Sequence, residues 1–373
     1  MRIIHVLAVL SPDNVYGGPA TVAVDQCRAL AAAGHDITLI AGAMGFEEDL
    51  PSSIDGAPVK LFPARTLMPG TGFAGLAAPG LEVWLARQAR NADAVHVHLA
   101  RDLLTLPAAA LAQALGARVH VQTHGMIDPS DSALAKVLDV ALTRRVLRRA
   151  ENVFCLTEAE VADVHQVAGP AVKAKVLPNG ILVDHEPPAR PEGSPNVLFL
   201  ARLAPRKRPG AFVRAALELA PEFPDVTFTL VGPDEGAADE VQRLIRESGL
   251  GERIEWRGPA GRAQCAAYME AADLYVLPSV NEPFGMTVLE ALRAGIPAIV
   301  TDSCELGPML IRSGSGAVSG PEPSQLAEAM RPYLRDAGLR RAAGERAFAT
   351  VSGEFSIGAI RDQLLDRYGS PQG

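Results

Sequence analysis

The stretch 273–291, DLYVLPSVNEPFGMTVLEA, contains one complete strand–loop–helix unit. Its first residues predict a buried strand over 273–277. Pro283 and Gly285 then mark a loop, and apolar residues at helical spacing resume at Val288. In an open α/β sheet, ligands bind in the crevice beyond the carboxyl ends of the strands. The stretch therefore predicts an α/β fold and a ligand site on the loop that leaves this strand.

Two glutamates, Glu282 and Glu290, are separated by seven residues in this stretch. Glu282 lies on the predicted loop. Glu290 follows about two helical turns later, at a rise of about 1.5 Å per residue. Two acceptors about a nucleotide's length apart suit a ligand that carries two sets of hydroxyls.

The length, net charge and cysteine content of the chain limit the kind of protein that it can be. A length of 373 residues favours two domains of ordinary size. The net charge of −8 argues against a dedicated nucleic-acid binder. Four scattered cysteines predict neither a disulfide framework nor a zinc site, and they favour a reducing cytoplasm. The chain begins with a predicted strand rather than a signal peptide, and it has no apolar run of about 20 residues that would predict a membrane span.

Strands and helices alternate along both halves of the chain. In the first half, the predicted strands are 3–9, 37–40, 94–97, 119–121 and 153–156, and the predicted helices are 21–33, 103–115 and 133–149. In the second half, the predicted strands are 197–200, 226–231, 253–256, 274–277 and 298–300, and the predicted helices are 211–219, 239–248, 264–271, 287–294 and 325–334. The segment 62–79 is predicted to be a long irregular loop.

A proline-rich segment, 185–195, separates the two halves and is the best candidate for a linker. The pattern predicts two Rossmann-like domains that face each other across a cleft. We place their boundaries at 1–185 and 186–354. A C-terminal helix within 355–373 is expected to pack back on the first domain.

A cluster of cations follows the predicted strand 197–200. Arg202, Arg206, Lys207 and Arg208 lie between this strand and the next helix. A helix N-terminus adds its dipole and free N–H groups to such a cluster, and arginine suits bidentate contacts with phosphate. The cluster therefore predicts an anion site, for which the alternative is a solvated run of charge.

Two weaker signals lie in the first half. Gly17 and Gly18 precede the helix 21–33, and a glycine pair there lets backbone amides approach a phosphate closely, although it is also an ordinary turn. His124 follows the strand 119–121, at the sheet edge where ligand sites occur. A lone histidine is as readily structural, so this position alone leaves both interpretations open.

The helix 133–149 ends in a basic segment, 144–149, RRVLRR. One interpretation is attraction to anionic lipid at a membrane surface. The interpretation that we favour is the ordinary placement of cations at a helix C-terminus, because the arginine pairs flank apolar residues that can pack in the core.

Together these motifs resemble those of the retaining GT-B glycosyltransferases of family 4. Glu282 and Glu290 resemble the E-x7-E motif in its E-P-F-G context. The segment from Arg202 to Pro209 is similar to the R-L-x-x-x-K-x-P element. Thr123-His124-Gly125, Gly17-Gly18 and Pro178-Asn179-Gly180-Ile181 fall at the expected places, so the resemblance covers nearly the whole chain.

The resemblance implies an enzyme, a hexosyltransferase that uses a UDP- or GDP-sugar and retains the anomeric configuration. Its acceptor would be a saccharide, a lipid-linked molecule or a small molecule, in the synthesis of cell-surface polysaccharide or glycoconjugate. The protein would be cytoplasmic or peripheral at the inner face of the membrane. The first domain would bind the acceptor and the second the nucleotide sugar.

The resemblance also assigns roles to single residues. Glu290 would hold the ribose, and Glu282 the donor sugar beside the backbone N–H groups of Phe284, Gly285 and Met286. Arg202 and Lys207 would bind the diphosphate, with Gly17 and Gly18 approaching it, and His124 would contact the transferred sugar. The catalytic set would be His124, Arg202, Lys207 and Glu282, with no protein nucleophile.

The chain departs from the family pattern after the strand 298–300. Many members have Gly-Gly-x-Pro-Glu there, whereas this chain has TDSCELGP over 301–308, which puts the role of that loop in doubt. No Asp-x-Asp motif occurs in the sequence. We therefore expect a site that needs no metal and no other cofactor.

Other interpretations remain open. A sugar-nucleotide epimerase shares this architecture, and so does a glycogen phosphorylase-like enzyme, although no lysine is marked for pyridoxal phosphate. A nucleotide-sugar binding module without activity belongs to a different class, and it would not need the predicted catalytic residues. A dinucleotide oxidoreductase is disfavoured, because no G-x-G-x-x-G follows the first strand.

Overall fold

The computed structural model describes residues 1–12, 18–46, 49–68, 70, 72–187 and 193–369. Gly17 and residues 188–192 of the proline-rich segment lie outside these residues. The chain forms two compact units. Unit 1 is Met1–Leu182 with Ile357–Gly373, and unit 2 is Val183–Ser356. The division thus falls three residues before the predicted boundary, and the C-terminal helix belongs to unit 1.

Unit 1 is built on a mainly parallel sheet, and the side chains of its central strands are almost all buried. Its strands are β1 (Arg2–Leu10), β2 (Asp36–Ala43), β3 (Ser53–Ile54), β4 (Ala57–Pro63), β5 (Arg65–Thr66), β6 (Leu76–Ala77), β7 (Ala94–His98), β8 (Val119–Gln122), β9 (Asn152–Cys155) and β10 (Ala174–Val176). The main sheet has the order β10-β9-β8-β7-β1-β2-β4-β3, with only β3 antiparallel. The strand order reverses between β1 and β7, so the switch point of this sheet lies there.

Helices cover both faces of this sheet. They are α1 (Gly18–Ala32), α2 (Pro79–Gln88), α3 (Thr105–Ala114), α4 (Ala133–Leu138), α5 (Arg144–Arg149), α6 (Glu158–Ala168) and, from the end of the chain, α14 (Ile357–Gly369). Ile360, Leu364 and Tyr368 of α14 are fully buried in the same core cluster as Leu30 of α1. The burial of these side chains fixes the C-terminal helix on unit 1.

Unit 2 repeats the pattern on a six-stranded sheet. Its strands are β11 (Asn196–Leu200), β12 (Thr227–Val231), β13 (Ile254–Trp256), β14 (Leu274–Leu277), β15 (Ala298–Thr301) and β16 (Gly316–Ser319). All pairs are parallel, in the order β13-β12-β11-β14-β15-β16. The order reverses between β11 and β14, which is the switch point of this sheet.

The helices of unit 2 are α7 (Pro209–Leu219), α8 (Ala238–Ser248), α9 (Arg262–Ala271), α10 (Met286–Arg293), α11 (Gly307–Ser313), α12 (Pro323–Arg335) and α13 (Ala337–Thr350). Both units therefore have the predicted α/β architecture. None of the helices in the described parts of the chain is long and apolar enough to span a membrane.

Several elements differ from the sequence prediction. The expected helix 133–149 is interrupted by a π-helical turn at Asp139–Thr143. The expected loop 62–79 contains the short β5–β6 pair. The strand β16 has a weak apolar pattern, and a Cβ on Gly316 would lie 1.9 Å from the carbonyl oxygen of Ala298, so only glycine allows β15 and β16 to approach this closely. Periodicity cannot reveal a strand that depends on such a contact.

Candidate functional site

The predicted donor residues of unit 2 lie around its switch point. Arg202 and Lys207 follow β11, Glu282 follows β14, and the loop of Ser303 follows β15. These three strands are neighbours in the sheet and run parallel, so their carboxyl ends lie side by side. The structure thus brings together loops that are up to 101 residues apart in sequence (202 to 303).

Glu282 forms a buried ion pair with Lys207. Their side chains are only 7% and 12% exposed. Lys207 Nζ donates to Glu282 Oε2, Ser279 Oγ donates to the same oxygen at 2.8 Å, and Arg206 Nη1 does so at 3.3 Å. One carboxylate oxygen therefore collects three donors from two loops.

This pair determines the ionisation of Glu282. Burial acts to raise the pKa of Glu282, but the charge of Lys207 and the hydrogen bonds from Lys207 and Ser279 outweigh burial, and the pKa lies below its ordinary value. The carboxylate is therefore charged at neutral pH. Removing one partner of a buried pair leaves an uncompensated charge, which costs about 3–5 kcal/mol.

The loop that departs from the family pattern supports Glu282 through its backbone. The N–H of Glu282 donates to the carbonyl of Ser303 at 3.2 Å, and the N–H of Glu305 donates to the carbonyl of Glu282 at 3.1 Å. The hydroxyl of Thr301 donates to the carbonyl of Ser279 at 2.5 Å. The segment 301–305 thus positions the Glu282 loop without the Gly-Gly-x-Pro-Glu sequence.

Arg202 lies at the same sheet edge but makes a different contact. Its Nη1 donates to both carboxylate oxygens of Glu235, at 2.8 and 2.9 Å, and its side chain is 56% exposed. The loop after β12 comes close here because Gly232, with φ of 148°, has no Cβ; a Cβ would lie 2.0 Å from the carbonyl oxygen of Ala201. Exposed pairs of this kind contribute little to stability.

Glu290 and the backbone groups predicted beside Glu282 belong to α10 and its N-terminus. Phe284 is buried, Gly285 has the left-handed conformation that precedes the helix, and Met286 is the first helical residue. The N–H groups of a first helical turn have no acceptor within the helix. Glu290 is half-buried. The pKa of Cys265 is raised mainly by the burial of its thiol and, to a smaller extent, by the charge of Glu290.

In unit 1, a cavity of about 230 Å³ lies at the switch point. It is lined by the end of β1, the end of β7, the first turn of α1 and the loop after β8. The lining residues are Leu7, Ala8, Val9, Pro19, Ala20, His98, Ala100, His124 and Met126. Gly18 begins α1 beside this lining and is exposed, and a Cβ added to it would meet no described atom within 4 Å.

His124 belongs to a group of five buried histidines. His5 on β1, His96 on β7 and His120 on β8 are cross-strand neighbours, and His98 lies two residues beyond His96 on the same face. The ring of His124 stacks on His98 at a centroid distance of 5.1 Å. Burial lowers the pKa of His124 to about 3, so its ring is neutral at physiological pH.

The loop that carries His124 is held by Glu160 of α6. This buried carboxylate accepts hydrogen bonds from Thr123 Oγ1, the N–H of Gly125 and the N–H of Leu156, each at 2.5 Å. Sequence reasoning missed Glu160, although Thr157 and Glu160 form the T-x-x-E pattern of a helix start. It also missed the histidine row, which the alternation of His96 and His98 along one strand could have indicated.

Backbone strain is concentrated around these loops. Among the described residues, four that are not glycine have positive φ, and three of them are His124 at 52°, Arg208 at 52° and Asn281 at 50°. Such conformations cost free energy and persist where the surrounding structure enforces them. His124 is itself a predicted site residue, and Arg208 and Asn281 are the chain neighbours of Lys207 and Glu282.

The basic segment of unit 1 forms a separate surface, which we call the arginine surface (Val140, Arg144, Arg145, Arg148 and Arg149). These residues line a shallow cavity of about 380 Å³. Val140 is 71% exposed, and Val137, one turn earlier, is 64% exposed. Val146 and Leu147 are buried in the core, and Arg148 Nε donates to the carbonyl of Ala168 at 2.6 Å.

Two family models match the chain. The model for group 1 glycosyl transferases matches 182–350, and the model for a glycosyl transferase 4-like domain matches 17–180. Together they extend from the start of α1 to the end of α13. The chain belongs to the group 1 glycosyl transferases. This confirms the resemblance that the motifs indicated.

Curated relatives of this glycosyl transferase include two D-inositol 3-phosphate glycosyltransferases. The protein from Mycobacterium bovis is 30% identical over 299 residues, which are 76% of this chain and 58% of that protein. The protein from Kineococcus radiotolerans is 30% identical over 255 residues, 60% of this chain and 58% of that protein. The matched part thus spans little more than half the length of these relatives.

Solved structures share the fold of this glycosyl transferase. Sucrose-phosphate synthase from Thermosynechococcus elongatus superposes with a TM-score of 0.75 at 20% identity, covering 99% of this chain and 98% of that one. Anabaena Alr3699/HepE in complex with UDP gives 0.75 at 19% identity, covering 98% and 99%. The GT-B fold predicted from the motifs is confirmed.

Proposed function

We propose that the chain is a hexosyltransferase that moves a sugar from a nucleoside diphosphate donor to an acceptor, with retention of configuration. The observation that carries this proposal is the cluster of Arg202, Arg206, Lys207 and Glu282 at the switch point of unit 2. It presents fixed cations where an open α/β sheet binds its ligand. Family membership supports the same activity.

The chemistry of the proposed reaction requires cations more than a nucleophile. Cleavage of the anomeric bond develops negative charge on the diphosphate, and fixed donors stabilise that charge where it forms. We assign this role to Arg202 and Lys207. Glu282 holds Lys207 in one position, and the exposed contact with Glu235 leaves Arg202 able to exchange one anion for another. We assign Glu290 to the ribose and His124 to a bound sugar.

The donor is tested by thermal shift of the full chain with UDP-, GDP-, ADP- and dTDP-sugars. A true donor raises the melting temperature in proportion to its concentration, because it binds the folded state only. UDP-sugars are our first expectation, since solved structures of the same fold contain UDP and UDP-glucose. Stabilisation by none of the four would contradict the proposal.

The catalytic assignment is tested by Arg202→Ala and Lys207→Ala. We expect each to lower kcat on the order of 100-fold, as removal of one charge-stabilising donor does. Arg243→Ala is the matched control, because Arg243 also forms an exposed pair with a glutamate, Glu247, at 2.9 Å. Unchanged turnover in both site variants would show that the diphosphate lies elsewhere.

The stereochemistry and the metal requirement need separate measurements. NMR of the product distinguishes retention from inversion, and an inverted product would contradict the proposed mechanism. Release of an epimerised nucleotide sugar would indicate an epimerase instead. We also propose that no metal or other cofactor is needed. Activity should then be unchanged after dialysis against EDTA.

The arginine surface supports a further part of the proposal, namely a cytoplasmic protein that contacts the inner face of a membrane. Among the described residues, Arg144, Arg145 and Arg149 have no acidic partner, whereas Arg202, Arg214 and Arg243 in unit 2 are each paired. Exposed valines beside cations suit anionic phospholipid.

This part is tested by sedimentation with vesicles. Binding to vesicles that contain phosphatidylglycerol, absence of binding to pure phosphatidylcholine, and loss of binding in Arg144→Glu/Arg145→Glu would support it. An Arg214→Glu/Arg243→Glu variant controls for net charge. Equal binding to both lipids would contradict it. A lipid-linked acceptor for cell-surface glycoconjugates would follow from a positive result.

A further inference from the structure

The histidines of unit 1 are joined by hydrogen bonds into one chain, which we call the imidazole chain (His124, His98, His5 and Tyr368). His124 Nε2 lies 2.8 Å from His98 Nδ1, and His98 Nε2 lies 3.1 Å from His5 Nδ1. His5 Nε2 lies 3.4 Å from the hydroxyl of Tyr368, which lies 2.6 Å from His96 Nδ1. The imidazole chain thus extends from the cavity at the switch point of unit 1 to the C-terminal helix α14.

All members of the imidazole chain are buried and uncharged. His5 and Tyr368 are fully buried, His98 is 1% exposed and His124 is 9% exposed. Burial, with a smaller effect from His120, lowers the pKa of His5 to about 3. A neutral imidazole carries one N–H donor and one acceptor nitrogen. Each ring must therefore donate in one direction and accept from the other.

This requirement couples the ring tautomers of the histidines along the imidazole chain. His5 and His98 each use both ring nitrogens, so the tautomer of one dictates the tautomer of the next. Either His5, His98 and His124 all carry their proton on Nε2, or all three carry it on Nδ1. A mixed arrangement would place two N–H groups or two bare nitrogens against each other, which costs about 1–3 kcal/mol for each unmatched buried group.

Tyr368 selects between the two arrangements. A phenol is a better donor than an imidazole N–H, and an imidazole nitrogen is a better acceptor than a phenol oxygen. The shorter bond of Tyr368, at 2.6 Å, is to His96 Nδ1, so we place the phenolic proton in that bond. The oxygen of Tyr368 then accepts from His5 Nε2–H, and every ring of the chain donates toward the C-terminal helix.

We propose that Tyr368, acting through His5 and His98, fixes the ring of His124 in its Nε2–H form, so that Nδ1 is a bare acceptor for a hydroxyl of a bound sugar. Nδ1 of His124 is buried and has no partner among the residues that the structure describes. The assignment of a sugar to this nitrogen rests on the proposed function, whereas the coupling of tautomers does not. Tyr368, His5 and His98 are positioning residues in this scheme.

The first experiment reads the tautomers directly and needs no activity. Long-range ¹H–¹⁵N spectra of the full chain labelled with ¹⁵N-histidine distinguish Nε2–H from Nδ1–H rings, and single variants assign the eight histidines. We expect His124 to be entirely Nε2–H in the wild type. In Tyr368→Phe and in His5→Phe it should become a mixture of both tautomers.

Two controls match these variants. Tyr333→Phe removes a hydroxyl from a buried tyrosine of unit 2. His120→Phe removes a buried imidazole from the same row of the sheet; this ring packs edge-on against Tyr368 at a centroid distance of 5.0 Å, but its Nδ1 contacts Asn152 Nδ2 and it makes no hydrogen bond to the described members of the imidazole chain. Both should leave His124 as in the wild type. An unchanged His124 tautomer in Tyr368→Phe, a mixture already present in the wild type, or a metal ion bound by these rings would overturn the proposal.

The second experiment connects the imidazole chain to transfer. Tyr368→Phe should lower kcat about fivefold, the effect of one hydrogen bond of ordinary net strength, with KM for the donor nearly unchanged. Tyr333→Phe should leave both constants unchanged. Absence of transfer in the wild type would refute the proposed function and leave the spectra valid. Intact kcat together with a mixed tautomer would refute the link to the sugar.

Discussion

The two switch points of this protein bury polar side chains in different ionisation states. At the switch point of unit 2, Glu282 and Lys207 are buried as a charged pair, and the partly exposed Arg206 lies beside them. At the switch point of unit 1, the polar side chains are buried as neutral imidazoles that hydrogen-bond to one another, from His5 to His124. Burial penalises a lone charge, so charges must be paired, whereas histidines can simply lose their protons.

The two sites keep their geometry by different forces. An ion pair holds its partners by charge, so it can present a cation to an anionic ligand. A chain of neutral rings holds its partners by the direction of each N–H, so it can set whether a nitrogen donates or accepts. The first arrangement suits a diphosphate and the second suits the hydroxyls of a sugar. Four predictions test the comparison, in order of expected effect.

Lowering the pH should have the largest effect on the free energy of unfolding. The buried histidines are neutral in the folded protein but titrate near pH 6.5 when unfolded, so only the unfolded state gains protons between pH 6.5 and 5. Stability should therefore fall over this range, by up to about 2 kcal/mol for each such histidine. Asp102, whose pKa burial raises to about 6, acts in the opposite direction, and so do Glu82, Glu160 and Asp163, whose pKa values burial also raises. The five histidines should outweigh them, because their rings stay neutral in the folded protein over this whole range.

The measurement is urea unfolding of the full chain at pH 7 and pH 5, with hydrogen exchange to separate the two units. Unit 1 should open first at pH 5. The stability contributed by Glu282 is present above its ordinary pKa of 4.5 and is lost only as the pH falls below that value. Equal loss in both units between pH 6.5 and 5 would contradict the comparison.

The next effect should come from Lys207→Met. It leaves the charge of Glu282 buried with only Arg206 and Ser279 as partners, and should cost about 3 kcal/mol. The double variant Lys207→Met/Glu282→Gln should recover most of that loss, because the uncompensated charge is gone. Urea unfolding at pH 7 measures both. A double variant no more stable than Lys207→Met would indicate that packing, rather than charge, holds this site.

Glu160→Gln should have a smaller effect. A glutamine has one acceptor oxygen in place of two, so the hydrogen bonds from Thr123, Gly125 and Leu156 cannot all be kept. We expect a loss of about 2 kcal/mol, as for a buried group left without its partner. Glu240→Gln is the control, because Glu240 forms an exposed pair with Arg214. Equal stability of the two variants would show that Glu160 does not organise the His124 loop.

Ser279→Ala should have the smallest effect. It removes one neutral donor, at 2.8 Å, from a carboxylate that keeps both cations. A hydrogen bond to a charged group contributes about 1.5 kcal/mol. The pKa of Glu282 should rise at the same time, because one of the bonds that favour its charged form is lost. Thermal unfolding and titration of Glu282 by ¹³C NMR measure the two effects, and a lowered pKa would contradict the account.

Much of the architecture could be predicted from periodicity. The strands at 197–200 and 274–277 and the helix at 211–219 were placed within a residue or two of β11, β14 and α7. Continuous apolar runs reveal buried parallel strands wherever they are separated by helices. The helix α11 and the strand β16 were not predicted from the sequence. Gly307 and Gly316 make close contacts with other strands, and the apolar pattern of their own segments does not show such contacts.

Local pattern is enough to predict that Glu282, Arg202, Lys207 and His124 lie on loops at the carboxyl ends of strands, because each motif is adjacent to its strand in the chain. The partners of these residues follow from the folded structure and not from local pattern. It placed Lys207 on Glu282, Glu235 on Arg202 and a row of histidines behind His124. Those contacts join segments that are distant in sequence, and strand order and burial, which no local pattern encodes, bring them together.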